Sequence, residues 1–417
     1  MAWADRLRNW ATFLVVAIHV SAPVAQENTD YNSSAWWAGN IWDSLGRPAV
    51  PLFVMLSGYL LLSKNYSLTY FLQRRFARVV IPSLFWMLVY SYYNHVANGA
   101  PATWADALRG LISGPVHYHL WFVYLIVGLY ITYPVLVPWV RTAREQDYAY
   151  FFVVCLVGTW VYKVLVWFFD VQIGVYFEFF TNQAGYFVLG YYLGHVSATS
   201  VADQQAAATS VADQQAAAPS ATEQNQTAAP SVADKKQTAA PSVADDALSA
   251  TEVACKASSA TEGTCKASSA TKGTCKASSA TKVADTCIRA WLLIVFGTAL
   301  TAIGTWWASR THGNVFHGFF YDYLTPGVTI SAIGWFLLAR HAWDGRRLTA
   351  IEADLSMASF GMYFVHVLVM DWWSEIGYWQ SKGHPALWIP VVTIMVYTMS
   401  FVFVALLRTM GWGRRVT

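Results

Sequence analysis

HYHLWFVYLIVGLYITYPVL, residues 117–136, runs for twenty residues without an Asp, Glu, Lys or Arg. A membrane span needs about 20 mostly apolar residues at 1.5 Å of rise each, so this stretch is long enough to cross. Lipid offers the backbone no water partner, so the span must bond within itself as a helix. Comparable stretches lie on both sides of it. Spans are expected near 10–26, 47–63, 79–97, 119–140, 149–169, 183–197, 288–309, 322–341, 356–373 and 386–407. The expected architecture is all-α: a polytopic bundle of about ten transmembrane helices.

Composition agrees. Of 417 residues 56% are hydrophobic and only 12% charged, about half the charged share of a soluble domain. The chain holds 21 Trp and 23 Tyr, residues that gather where membrane meets water. A net charge of +3 is too small to imply a nucleic-acid partner. The opening MAWADRLRNWATFLVVAIHVSAPVAQ has small residues at 22–25 that could mimic a cleavage site. His19 and the many later spans favour a retained first helix. The five cysteines include no C-x-x-C pair, so neither a metal site nor a disulfide framework is expected.

Lys and Arg set the orientation. Arg6 and Arg8, Lys64 to Arg78, Arg141 and Arg144, Arg340 to Arg347, and Arg408 to Arg415 all fall on one side of a ten-span chain. The opposite loops carry Glu27, Asp30, Asp43, Asp170, Glu178, Asp371 and Glu375, with few basic residues (Arg47, Arg109, Arg310 and Lys382). Both termini are therefore expected in the cytoplasm.

The membrane core is expected to be split into 1–196 and 287–417 by an insertion at 197–286. SVADQQAAA occurs at 200 and again at 210, and TEGTCKASSA at 261 is nearly repeated at 271. Sequence this poor in large apolar residues cannot bury enough surface to fold alone, so a disordered cytoplasmic loop is expected.

Ionisable residues inside spans are functional candidates. Arg8 and His19 are eleven residues apart, which on a helix returns to within about 20° of the same face, some 16 Å further along. Such a face suits a ligand held by its anion at Arg8 with its reactive end at His19. It equally suits a helix-end Arg and a His bonded to a neighbouring helix. Ser57-Gly58 could serve close packing or close approach of a ligand. Arg74, Arg75 and Arg78 could anchor a helix at the interface or grip phosphates. His119, Trp121 and Tyr124 could form an aromatic belt or a platform for a sugar ring. Tyr363 and His366, three apart, share a helix face and add a second imidazole at membrane depth.

Taken in order, these residues resemble the acyltransferase-3 family of bacterial membrane acyltransferases. The match runs from Asp5-Arg6-Leu7-Arg8 with His19, through Phe53 to Leu61 and Arg74, Arg75, Arg78 and Pro82. It continues in His119 to Phe122 with Tyr124, Tyr186 to Leu193, and Ser359, Tyr363 and His366. Within the family it resembles the surface-glycan O-acetyltransferases, the enterobacterial-common-antigen type among them. Trp10, where the family usually has Gly, and the repeat insertion depart from the pattern.

The resemblance implies an O-acyltransferase that moves acetyl, or another acyl group, from cytoplasmic acetyl-CoA (acyl-CoA) to a sugar hydroxyl of a cell-surface or lipid-linked glycan. His19 would be the base or a transient acyl carrier. Arg8, Arg74, Arg75, Arg78 and Ser57 would hold the donor. His119, Trp121 and Tyr124 would meet the acceptor, with His366 and Tyr363 orienting it or His19. No tightly bound cofactor is implied, and membrane lipid is the remaining partner. A glycan exporter or flippase of the same fold is the competing expectation.

Overall fold

The computed structural model describes residues 1–64, 66–99, 114–169, 183–196, 269–375 and 383–417. Among them every regular element is helical. The helices are α1 (Ala2–Glu27), α2 (Ser34–Gly46), α3 (Ala49–Leu62), α4 (Leu68–Arg75), α5 (Ile81–Asn98), α6 (Trp121–Thr142) and α7 (Glu145–Leu156). They continue as α8 (Tyr162–Phe169), α9 (Ala184–Tyr191), α10 (Ser269–Thr311), α11 (Pro326–Ala342), α12 (Ala350–Glu375) and α13 (Pro385–Thr409).

Local chemistry sets several boundaries. Ser33 caps α2, its hydroxyl accepting from the Trp36 N–H at 3.2 Å. Pro48 separates α2 from α3, because proline has no N–H to give the helix ladder. Asp147 accepts from the Arg144 N–H at 2.8 Å and starts α7. Pro326 and Pro385 stand in the first turns of α11 and α13, where a missing N–H costs nothing. Two rods are joined by wide π turns, Phe76–Val80 between α4 and α5 and Val157–Val161 between α7 and α8.

All ten expected stretches coincide with helical rods. Among the described residues seven are long and apolar enough to cross a membrane alone, so the chain is a multi-pass all-α membrane bundle. The rods at α4–α5, α9 and α11 fall outside that set. The second rod begins earlier than expected, running from Ser34 to Leu62 through the Pro48 break.

Contacts give the rods' directions. α1 and α12 are parallel: Arg6 meets Glu352, Arg8 meets Ser356 and His19 meets His366, a nearly constant offset. α5 runs the same way, since Tyr90 donates to the Phe364 carbonyl and Tyr93 to Asp371. α2 is antiparallel to α1, with Gly39 on Val24 and Gly46 on Ile18. α10 and α11 are antiparallel, with Gly297 on Gly327 and Gly334 on Ala290. Seven crossings alone would set α1 against α12, whereas three further crossings between them restore the observed parallel order.

Asp43 and Arg47 correct the loop expectation. They form a buried ion pair at the α2–α3 junction, with Asp43 0% exposed. Arg47 also lies over the Tyr321 ring at 4.3 Å. Mutual neutralisation and a cation–π contact let charges sit where hydropathy would not put them. Asp170, Glu178, Arg109 and Lys382 lie outside the described residues.

The chain divides into a bundle of 1–199 and 285–417 and a second unit, 200–284. Most of the repeat insertion lies outside the described residues. Its last part, 269–286, is helical rather than disordered, being the start of α10. Extending an existing helix needs no new nucleus, and this stretch is rich in Ala and contains no Pro.

Candidate active site

Arg8 and His19 project from one face of α1 into a cavity of about 320 Å³. It has the size of a small-molecule site. At the Arg8 level its wall carries Arg75, Arg78 and Ser356; at the His19 level it carries His119, Trp121, Tyr323 and Tyr363.

The basic end is tied together across the sequence. Arg8 donates to Asp5 at 2.8 Å and to the Ser356 hydroxyl at 2.7 Å, and that hydroxyl donates to Asp5 at 2.8 Å. Asp5 thus fixes one guanidinium nitrogen of Arg8 and aims the rest. The Arg75 guanidinium sits 5.8 Å from the Tyr130 ring centre. Arg78 is exposed at the same wall. Together they set three guanidinium groups around one opening, an arrangement suited to phosphate oxygens.

The deep end is an imidazole cluster. The His19 ring lies 5.2 Å from His366, and His366 lies 5.4 Å from His119. The His366 Nδ1–H donates to the Met362 carbonyl at 3.2 Å, which leaves Nε2 as an acceptor in the neutral ring. That Nε2, and Nε2 of His119, are buried without a hydrogen-bond partner among the described residues. His119 is 2% exposed and His366 0%. The Tyr363 hydroxyl donates to the His119 carbonyl and so holds the loop that carries His119. His117, just before α6, shares a proton with His119 across 3.1 Å. Burial lowers the His117 pKa below the ordinary imidazole value, so it stays neutral at neutral pH.

Residues 1–205 match the acyltransferase-3 family. The family's model is described as an acyltransferase domain. The matched part spans α1 to α9, so it contains Arg8, His19, Arg75, Arg78 and His119. Ser356, Tyr363 and His366 come to the same site from beyond it. No curated protein and no solved structure matches the chain. The match supports a membrane acyltransferase.

Most expected site residues meet here; three do not line the cavity. Arg74 points away, exposed, and pairs with the Tyr70 hydroxyl one helical turn earlier. The Tyr124 hydroxyl donates to the Gly114 carbonyl at 2.9 Å and closes the 114–124 loop, so it offers no free face to a sugar here. His366 stands behind His19 rather than on the wall. Ser57 lines the cavity, its hydroxyl returned to the Phe53 carbonyl at 2.8 Å. Gly58 serves packing: a Cβ there would run into the Phe187 carbonyl oxygen.

Ser356, Tyr130 and Tyr323 are site residues that sequence reasoning missed. Ser356 had a signal, since it sits one helical turn before Ser359, on the helix that carries Tyr363 and His366. Tyr323 had none; it is brought in by the approach to α11 and stacks on Trp121 at 5.4 Å.

Proposed function

We propose that the protein is a membrane O-acyltransferase that takes an acyl group, acetyl foremost, from acyl-CoA and places it on a sugar hydroxyl of a glycan. One observation carries this reading: a single cavity joins three guanidinium groups to an imidazole cluster along one face of α1. The basic end faces the cytoplasm, following the gathered Lys and Arg residues. Arg8, Arg75 and Arg78 hold the donor's phosphates. The pantetheine arm lies along Val15 and Ile18 and brings the thioester to His19.

The acceptor hydroxyl reaches the thioester from the other end, past Trp121 and Tyr323. His19 takes the hydroxyl proton as its oxygen attacks the thioester carbonyl. The tetrahedral intermediate collapses, the C–S bond breaks and the proton passes to the departing thiolate. His366 backs the His19 ring, and His119 offers a second acceptor nitrogen. A transient acyl-His19 is the covalent variant of the same chemistry.

The test is transfer from radiolabelled acetyl-CoA by purified protein in detergent, with a panel of glycan acceptors. Wild type should release or transfer label. His19→Ala should be slower by about 10²–10⁴, and Arg8→Ala should need more donor. A folded preparation with no CoA-dependent turnover would sink the acyltransferase reading and favour a glycan exporter.

A further inference from the structure

On the opposite side of α1 lies a cavity of about 520 Å³ that the acyl-transfer scheme does not use. Its walls include Asn9, Trp10, Phe13, Trp343, Arg346 and Tyr397. Trp10 is about 200° around the helix from Arg8, so a molecule seated here cannot present a group to His19. Its level is the basic end of the bundle, beside the Arg6–Glu352 pair.

Two polar atoms in this wall are buried without a partner among the described residues: Nε1 of Trp10 and Oδ1 of Asn9. The Asn9 amide is not free to turn, because its Nδ2 donates to the Glu352 carbonyl at 2.9 Å. The cavity therefore offers one fixed donor and one fixed acceptor. Buried polar groups are normally hydrogen-bonded, so they point to an occupant with both an acceptor oxygen and a hydroxyl. Arg6 is spent on Glu352 and the Arg347 carbonyl. The Arg346 side chain has no carboxylate partner among the described residues and supplies a cation.

The remaining wall is aromatic. Trp10 stacks on Phe13 at 5.3 Å, and Phe13 meets the edge of Tyr397 at 5.7 Å. Ile351, beside Glu352, is 61% exposed, and Ile394, one turn before Tyr397, is 55% exposed. In a membrane bundle such flanks face lipid.

We propose that this cavity binds an anionic glycerophospholipid whose head group carries hydroxyls, of the phosphatidylglycerol kind. The phosphodiester sits at Arg346 and accepts from Trp10 Nε1–H. A head-group hydroxyl donates to Asn9 Oδ1, and an acyl chain lies along Phe13 and Tyr397. Basic pockets between membrane helices commonly take anionic head groups.

The experiment is native mass spectrometry of the purified full chain, with melting in detergent on adding phosphatidylglycerol, phosphatidylcholine or glycerol 3-phosphate. Wild type should retain phosphatidylglycerol and melt higher with it than with phosphatidylcholine. Arg346→Ala should lower bound phosphatidylglycerol by about tenfold, as loss of a charge-assisted bond would. Trp10→Phe keeps an aromatic ring against Phe13 while removing the N–H with part of the indole, so it should lower binding without unfolding the protein. Equal response to both lipids, equal protection by glycerol 3-phosphate, or full retention in both variants would overturn the proposal.

Discussion

Arg74 and Arg78 illustrate what residue type leaves open. Both belong to the Arg-rich run where α4 passes through the π turn into α5, yet only Arg78, with Arg75, reaches the cavity. Arg78→Ala should raise the KM for acetyl-CoA about tenfold or more, the effect of losing a charged hydrogen bond. Arg74→Ala should leave it within about twofold, since Arg74 spends its side chain on Tyr70. Steady-state kinetics on the two variants read this directly, and equal effects would mean the donor lies along the outside of α4. At this scale Arg8 and His19 were legible, because eleven residues on a helix fix a shared face. Ser356 as a partner of Arg8 was not, because that contact is made across 348 positions of chain. Asp43 and Arg47 misled for a related reason: hydropathy sees two charges and cannot see that they cancel.

Elements meet through small residues. α3 and α9 cross where Gly58 faces the Phe187 carbonyl and Gly190 faces the Met55 carbonyl. Backbones this close leave no room for a side chain, the usual way apolar helices associate without a hydrophobic drive between them. Gly58→Ala should cost about 3 kcal/mol or more, at the top of the range for overpacking, because backbone and not a side chain must yield. It should lower the melting temperature in detergent by several degrees. Gly128→Ala, with nothing within 4 Å of the new Cβ, is the control and should melt like wild type. The helical stretches themselves were legible from apolar length alone. The start of the second rod was not, because the polar residues before position 47 include Asn40, whose place inside the bundle shows only in its bond to the Ala302 carbonyl.

For the whole molecule the parallel α1 and α12 constrain the count of crossings, since they demand an odd number of crossings between them. Among the described residues length and hydropathy find seven helices able to cross alone, and the direction of the chain calls for the shorter rods as well. The repeat insertion stands apart from this arithmetic. Deleting residues 200–268 keeps α10 complete and should leave acyl transfer within about twofold of wild type, since closure cost varies only slowly with the length of a connection. The assay is the same labelled-donor transfer, and a collapse of turnover in a folded deletion would make the insertion a working part.

The fixed offset between α1 and α12 has a further consequence under the proposed scheme. Arg6–Glu352, Arg8–Ser356 and His19–His366 are rungs of one ladder. The span from guanidinium to imidazole is therefore a caliper cut in covalent helix, closed to adjustment by loops. It gauges the reach of a donor's arm and is blind to what that arm carries. A thioester on a shorter handle would stall below His19 whatever its acyl group, while the choice among acyl groups falls to the part of the cavity around His19.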